Sequence, residues 1–311
     1  MTDFDAVVVG ASLAGCATAI HLGRAGHRVA LVDKRPDPEA FKRVCGHFIQ
    51  SSAVPALGRL GILAELDAAG AARGHARVWT PYGWFADPPG ERRRTSLSVR
   101  REVLDPLLRR RAAETPGVEL LLGHALTGTS RAPEGRRVEL SRGPALTARL
   151  LMGADGRGSR TAALAGVRTR TSPNARFAYW GYFEGPPLGT GASVHIWFHG
   201  RDVGIATPTD AGLMLYVAFP GHERAKAFKR DMRAGCARSS ALCRTRRRSP
   251  PRASPDLSSA SSTSRTSGVV PQVTRSRSWA TPRSPPTRSG RSAAAGRCSP
   301  RSGWRTRSRR P

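Results

Sequence analysis

The feature that most constrains the fold lies at residues 4–35, which read FDAVVVGASLAGCATAIHLGRAGHRVALVDKR. Residues 6–9 form a short continuous apolar run, which is typical of a parallel strand buried on both faces. A helical pattern follows over residues 13–24, Gly26 ends it, and residues 28–32 form a second apolar run. The stretch therefore predicts a β-α-β unit whose two strands belong to one parallel sheet.

The turn between the first strand and the helix has the spacing of a dinucleotide-binding loop. Gly10, Ser12 and Gly15 stand in G-x-S-x-x-G order, with Ser12 in place of the usual middle glycine. The first glycine allows a tight turn, and the last allows the helix to pack closely on the sheet, with its N-terminus facing a pyrophosphate. Asp33 follows the second strand, where a carboxylate accepts hydrogen bonds from a ribose. These residues predict dinucleotide binding and leave the choice between NAD and FAD open.

Two later stretches favour FAD. Residues 97–108 read LSVRREVLDPLL, and residues 148–161 read ARLLMGADGRGSRT. An isolated Asp-Gly pair is usually an ordinary turn. However, the order of G-x-S-x-x-G, R-x-x-L-D and G-A-D-G-x-x-S-R resembles the p-hydroxybenzoate hydroxylase superfamily of FAD-dependent monooxygenases. The resemblance covers about residues 4–235.

The resemblance implies a set of cofactor-binding residues. The first turn would hold the FAD pyrophosphate, the end of the second strand would hold the adenosine ribose, and two arginines would reach the cofactor from other segments. A further backbone contact would lie near the adenine, and a second carboxylate would bind the ribityl chain or the pyrophosphate. In chain order these residues are Gly10, Ser12, Leu13, Ala14, Gly15, Asp33, Lys34, Arg43, Arg101, Leu126 and Asp155.

The same resemblance implies the architecture. We expect an α/β fold with a Rossmann-like FAD-binding parallel sheet and an inserted antiparallel β-sheet that binds substrate. The FAD-binding domain would cover residues 1–170, with a segment of the substrate region at about 75–100, and the substrate sheet would cover 171–235. Residues 236–311 would be a disordered tail.

The predicted substrate sheet is rich in aromatic residues. Each of them has two open interpretations, as the lining of an apolar or aromatic substrate pocket or as ordinary sheet core. His195 and His199 alternate along one strand and are more typical of satisfied or exposed histidines than of a catalytic base. No Ser-His-Asp or paired-carboxylate pattern stands out, as expected where a cofactor carries the reaction. The aromatic residues concerned are Tyr179, Trp180, Tyr182, Trp197 and Phe198.

The composition of the tail differs from that of the rest. Residues 236–311 contain 18 Arg, 18 Ser, 9 Pro and a single acidic residue, Asp256, so they carry +17 of the total charge of +29. Such a segment cannot bury enough apolar surface to offset its ordering entropy. An Arg/Ser-rich arm that binds RNA is one interpretation, although the tail has no lysine and no regular repeats. We therefore expect no nucleic-acid partner.

The genetic code suggests another origin for the tail. Members of the superfamily carry a second flavin motif of the form GDAAxxxxPxxxxG, and none is legible in this chain. Trp279 has a single codon, so the codon that begins at its third base can be read in a shifted frame, and it encodes Gly. The codons that follow in this frame can encode Asp-Ala-Ala, and later ones can encode the Pro and the Gly at the spacing of the motif. These restored letters are not residues of this chain. We interpret the tail as out-of-frame translation that begins between about Gly235 and Leu242, which would impair flavin binding.

The sequence supports one leading function and one alternative enzyme function. The first is an FAD-dependent monooxygenase that hydroxylates an apolar or aromatic small molecule with oxygen and NAD(P)H. The second is a flavin-dependent reductase of prenyl double bonds, because Cys45-Gly46 resembles an element of the geranylgeranyl-reductase branch. The five cysteines have no metal-like spacing. No signal peptide or membrane span is predicted, so we expect a cytoplasmic protein, and the oligomeric state stays open.

Overall fold

The computed structural model describes residues 3–85, 95–170, 177–183, 194–210, 212, 214–231 and 235. The tail after Gly235 therefore lies outside the described residues, and so does the prediction that it is disordered. Within the described part, the helices are α1 (Leu13–Arg24), α2 (Val54–Leu60), α3 (Leu63–Ala68), α4 (Arg101–Ala113), α5 (Arg160–Leu164), a short 3-10 helix (His222–Arg224) and α6 (Ala225–Arg230).

The same described residues contain fifteen strands. In chain order they are β1 (Phe4–Val9), β2 (Val29–Asp33), β3 (Phe48–Ile49), β4 (Ala72–Gly74), β5 (Ala76–Thr80), β6 (Gly83–Trp84), β7 (Ser96–Ser98), β8 (Val118–Leu122), β9 (Leu126–Ala132), β10 (Gly135–Leu140), β11 (Leu146–Gly153), β12 (Tyr179–Phe183), β13 (Val194–His199), β14 (Asp202–Pro208) and β15 (Met214–Phe219).

The first sheet has the strand order β8-β2-β1-β11-β10-β9. Its first four strands are parallel, and β9 and β10 extend it as an antiparallel edge. The apolar runs that predicted two buried parallel strands are β1 and β2, and Val7, Val8 and all of β2 are buried. The predicted Rossmann-like parallel sheet is confirmed.

The second sheet has the strand order β12-β15-β14-β13-β5-β6. It is antiparallel apart from the β13–β5 pair. The predicted inserted antiparallel sheet is therefore present, and β5 and β6 join it from an earlier part of the chain. A small third sheet, β3-β7-β4, contributes a further antiparallel layer.

Two apolar clusters cover the faces of the first sheet. One contains residues of α1 and α4 that pack on Val8, Val29 and Leu31. The other contains Val7, Val9 and the strands at the antiparallel edge. This packing places the N-terminus of α1 and the N-terminal half of α4 at the carboxyl ends of the parallel strands, which is where open α/β sheets bind ligands. No described helix is long and apolar enough to span a bilayer.

Candidate functional site

The turn after β1 accepts only glycine at two positions. Gly10 has φ of +107°, and a Cβ there would lie 2.6 Å from the carbonyl oxygen of Ala154. A Cβ on Gly15 would lie 1.8 Å from the carbonyl oxygen of Gly10. The structure thus brings the glycine turn of β1 and the Gly-Ala-Asp-Gly turn after β11 into direct backbone contact.

The N-terminus of α1 is left open for an anion. Ser12 is the N-cap residue, yet its side chain makes no capping hydrogen bond, and the first turn holds no acidic residue. Its Oγ instead accepts a hydrogen bond from Nη2 of Arg101 at 2.7 Å. The first amide groups of a helix have no intrahelical acceptor, and they carry the positive end of the helix dipole. Leu13 and Ala14 therefore begin an anion-binding helix end of the kind that holds phosphates.

Asp33 lies buried at the end of β2, where the sequence predicted it. Its carboxylate accepts hydrogen bonds from the amides of Ala11 and Arg35 and from the Arg35 guanidinium, all within 3.0 Å. Burial alone would raise the pKa of the Asp33 carboxyl, but the Arg35 side chain and the two amides lower it overall. The carboxylate is therefore ionised and pre-oriented beside the glycine turn.

Arg35 was missed by the sequence reasoning, which selected its neighbour Lys34. Lys34 is exposed, whereas Arg35 forms the ion pair with Asp33 at 3.0 Å. Arg43 is also exposed, on the segment between β2 and β3. The proposed contacts of Lys34 and Arg43 with the cofactor stay predictions.

Helix α4 carries a buried charged stripe with a spacing of four residues. Arg101 donates from Nε to Asp105 at 2.8 Å and reaches Ser12 with Nη2. The second carboxylate oxygen of Asp105 accepts from the amide of Lys42 at 3.0 Å. The predicted cofactor-side residue Arg101 is thus held rigidly between the glycine turn and its own helix.

Arg109 completes this stripe one helical turn further on. It is almost fully buried, and its guanidinium donates to the carbonyl oxygens of Pro38, Ala11 and Ala40. The sequence analysis selected neither Arg109 nor Asp105 as a site residue, although Asp105 ends the R-x-x-L-D motif and the i, i+4, i+8 spacing places all three charged side chains on one helix face. Together they fix the segment after β2 against the glycine turn.

Asp155 organises the second turn. One carboxylate oxygen accepts from the Ser159 hydroxyl, and the other accepts from the amide and hydroxyl of Thr161 at 3.0 and 3.1 Å. One oxygen therefore caps the start of α5 and the other holds the N-cap residue Ser159, so the predicted bond to the cofactor would have to share them. Leu126, at the start of β9, is buried in the cluster with Val7 and Val9.

The aromatic residues of the second sheet divide between its two faces. Tyr179 and Trp197 pack with Phe228 on one face. Trp180 and Tyr182 lie on the opposite face because side chains alternate along a strand. The strand register thus divides these residues between the two faces, and the choice between pocket lining and sheet core stays open for each of them.

Tyr182 connects the second sheet to the cofactor side. Its hydroxyl lies 2.7 Å from Nε2 of His47, a buried residue between Gly46 and β3. Nδ1 of His47 is 3.2 Å from the amide of Arg101. Cys45 Sγ lies 3.8 Å from Nη1 of Arg101. His47 was not selected from the sequence, and its only local signal is its place beside Cys45-Gly46.

Comparison with known proteins identifies the family. A family model described as "FAD binding domain" matches residues 3–224. The chain belongs to this family of FAD-dependent monooxygenases. The kynurenine 3-monooxygenase of Salinispora arenicola is 31% identical over 240 residues, which cover 71% of this chain and 53% of that protein. The chain thus spans about half the length of this curated relative.

Two further similar proteins differ from the first in their named activity. Digeranylgeranylglycerophospholipid reductase 1 of Methanothermobacter thermautotrophicus is 28% identical over 183 residues, which cover 56% of this chain and 44% of that protein. The solved structure of PqsL, a probable FAD-dependent monooxygenase from Pseudomonas aeruginosa, aligns with a TM-score of 0.64 at 21% identity. The alignment covers 77% of this chain and 65% of the PqsL chain, and it supports the fold.

The residues described above fit the cofactor of the family. Gly10 and Gly15 leave room where a side chain would collide, the start of α1 is uncapped by any side chain, and Asp33 is ionised beside it. These are the groups that a pyrophosphate and a ribose require. The family match ends at residue 224, before the Arg/Ser/Pro-rich tail begins.

Proposed function

We propose that the protein from which this chain derives is a monooxygenase that uses FAD, NAD(P)H and oxygen to hydroxylate an apolar or aromatic small molecule. The observation that carries the proposal is the backbone contact between the Gly10 turn and Ala154. It joins the glycine turn after β1 to the Gly-Ala-Asp-Gly turn after β11 in a chain of the FAD-dependent monooxygenase family. The similarity to a kynurenine 3-monooxygenase supports an aromatic substrate.

The residues of the chain have separate tasks in this function. The start of α1, at Leu13 and Ala14, would bind the pyrophosphate, and Asp33 would accept hydrogen bonds from the adenosine ribose. Arg101 would place a positive charge beside the pyrophosphate turn through its bond to Ser12. Bound FAD supplies the redox chemistry, which no side chain of a protein provides. The second sheet would exclude water and orient the substrate through its face that carries Tyr182.

A reductase of prenyl double bonds is the second candidate. It is supported by the similarity to a digeranylgeranylglycerophospholipid reductase and by the position of Cys45 beside Arg101. Both candidates use the same flavin site, so oxygen consumption separates them. Product formation that consumes oxygen favours the monooxygenase, and reduction of a prenyl chain without oxygen uptake favours the reductase.

The chain of 311 residues should itself bind FAD weakly. We infer that the tail after about residue 235 comes from a shifted reading frame and cannot supply the second flavin motif. The tail presents no apolar face at a helix or strand period, so it cannot replace a core helix. DNA sequencing across codons 230–245 tests the frameshift directly, and limited trypsin digestion should remove the Arg-rich tail first.

The deciding experiment compares this chain with its frame-corrected form. Both are purified and titrated with FAD, and NAD(P)H oxidation and oxygen uptake are then followed. We expect a yellow frame-corrected protein with tight FAD binding, which Asp33→Ala weakens, and a nearly colourless parent chain. A frame-corrected protein that cannot be reconstituted with FAD contradicts the function, whereas tight FAD binding by the parent chain contradicts only the inferred impairment.

A further inference from the structure

His47 occupies an unusual position where the second sheet meets the cofactor side. It is buried, and it is the only non-glycine residue with positive φ, at 53°, in the part of the chain that the structure describes. Asparagine, aspartate and histidine adopt this backbone region more readily than other side chains. The conformation directs its imidazole to two partners, the amide of Arg101 and the hydroxyl of Tyr182.

These two partners determine which nitrogen of His47 carries the proton. A backbone amide can only donate, so Nδ1, at 3.2 Å from the amide of Arg101, must be the unprotonated acceptor. Burial lowers the pKa of His47 to about 4, which keeps the imidazole neutral at pH 7. The single proton is therefore on Nε2, and it is donated to Oη of Tyr182 across 2.7 Å.

Because Tyr182 is the acceptor in this bond, its own hydroxyl proton is not used in it. Burial raises the pKa of Tyr182 to about 12, so the phenol stays protonated at neutral pH. Its oxygen already accepts from His47, so its proton must be donated elsewhere. Among the described residues, Tyr182 Oη makes no hydrogen bond besides the one with His47.

Tyr182 lies on β12, an edge strand of the second sheet. Its side chain is half-buried, and the same row contains Leu215 on β15 and Thr207 on β14, which are both fully buried. Through His47 and Arg101 the hydroxyl is linked to Ser12 in the glycine turn by bonds of 2.7, 3.2 and 2.7 Å. The free donor thus lies where the substrate sheet meets the dinucleotide site.

We propose that Tyr182 is a substrate-binding hydrogen-bond donor and that His47 is the positioning residue that fixes its direction. The substrate class is then an apolar or aromatic molecule that carries an acceptor oxygen, such as a carbonyl or a phenolate, rather than a pure hydrocarbon. This inference rests on the proposed function, because it names the substrate chemistry of the same site.

The test uses two probes of equal shape and the 311-residue chain itself. Acetophenone carries an acceptor oxygen, and α-methylstyrene has a methylene group in its place. Dissociation constants are measured by ligand-observed NMR for the parent, for Tyr182→Phe and for Tyr216→Phe. Tyr216 lies on the neighbouring strand β15 but on the opposite face of the sheet, so it serves as the matched control.

We expect the parent and Tyr216→Phe to prefer acetophenone by roughly 3- to 10-fold, the ordinary contribution of one hydrogen bond. Tyr182→Phe should lose this preference while it binds α-methylstyrene as before. A preference that survives in Tyr182→Phe, or a parent chain without any preference, overturns the proposal. Circular dichroism of each variant shows whether its fold is intact.

A second variant separates positioning from simple structure. His47→Asn tolerates positive φ and keeps an oxygen that can accept from the Arg101 amide, but it is too short to donate to Tyr182. It should reduce the acetophenone preference about 2-fold or more without abolishing it. Nitrogen NMR of the parent should show His47 with a protonated Nε2 and a bare Nδ1. The opposite tautomer contradicts the assignment.

These measurements need neither FAD nor oxygen, so they distinguish two failures. If the probes behave as expected but no flavin-dependent oxygen uptake is found, the proposed function fails and the donor site stands. If oxygen uptake is found but the acetophenone preference is absent, only the role of Tyr182 fails.

Discussion

The two sheets treat their buried polar groups differently. Around the glycine turn, Asp33, Arg101, Asp105 and Arg109 are all buried and all hydrogen-bonded. In the second sheet, four buried side-chain polar atoms have no hydrogen-bond partner within the described residues. In the first region only one such atom is found among the described residues, Nε of Arg111 on α4. The four are His195 Nδ1, Trp197 Nε1, His199 Nε2 and Thr207 Oγ1.

The paired region has the framework that a nucleotide site requires. A pyrophosphate and a ribose have a fixed shape, so a site for them benefits from a fully paired and rigid framework. Unpaired buried groups cost free energy of folding, and each such group calls for an explanation. Three of the four unpaired atoms in the second sheet belong to His195, Trp197 and His199, which alternate along β13 and share the face opposite to Tyr182.

The largest effect should come from removing a charge from the paired region. Asp105→Ala leaves the buried Arg101 without its ion-pair partner, which costs about 3–5 kcal/mol of unfolding free energy. The control is Asp67→Ala, which breaks an exposed ion pair with Arg73 of 2.7 Å and should cost less than about 1 kcal/mol. Urea denaturation measures both. Equal losses would show that pairing at α4 does not govern the stability of this region.

A smaller effect should come from the packing of the glycine turn. Gly15→Ala brings a methyl group against the carbonyl of Gly10, so we expect a loss of about 1–3 kcal/mol. Gly46→Ala is the matched control, because a Cβ there meets no atom within 4 Å and its φ is not positive. Thermal denaturation compares the two. Comparable melting temperatures for the two variants would argue against the tight contact.

The unpaired region should reveal itself in the pH dependence of stability. Burial lowers the pKa of His195 to about 4, whereas a histidine in an unfolded chain titrates near 6.5. Between these values the unfolded chain binds more protons, so stability falls as the pH falls from 6.5 to 4 and levels off below 4. In His195→Phe this fall should be smaller by about 1–3 kcal/mol.

The control for this measurement is Trp84→Phe. Trp84 packs edge-on against His195 with ring centroids 5.6 Å apart, so the variant disturbs the same ring cluster without removing a titratable group. Its stability should depend on pH as in the parent. Denaturation at a series of pH values measures the unfolding free energy of each variant. If the loss of stability between pH 6.5 and 4 is unchanged in His195→Phe, the acid sensitivity comes from other groups.

The smallest expected effect gives the sharpest comparison, because the same substitution is made in both regions. Thr161→Val removes a hydroxyl that bonds to Asp155 at 3.1 Å, which should cost about 1 kcal/mol. Thr207→Val removes a fully buried hydroxyl without a partner, so stability should stay the same or rise by up to about 1 kcal/mol. A loss at Thr207 as large as that at Thr161 would contradict the contrast between the sheets.

Much of the first region could be predicted from the sequence. The apolar runs, Gly10, Gly15 and Asp33 predicted the β-α-β unit, and the family resemblance and the FAD cofactor are confirmed. The roles of individual residues in binding the cofactor, including Arg43, Leu126 and Asp155, stay predictions. The second sheet was predicted as an element, but the division of its aromatic residues between two faces was not.

The sequence by itself determined the parts of this protein that depend on neighbouring residues. A buried strand, a glycine turn and a helix start are all specified within residues 4–35, since glycine geometry and apolar periodicity act locally. The tertiary structure alone decided the burial of Arg109 and the polarity of the bond between His47 and Tyr182. That last bond joins residues 135 positions apart. Its direction depends on a third segment, the amide of Arg101, which no local pattern brings into contact with the other two.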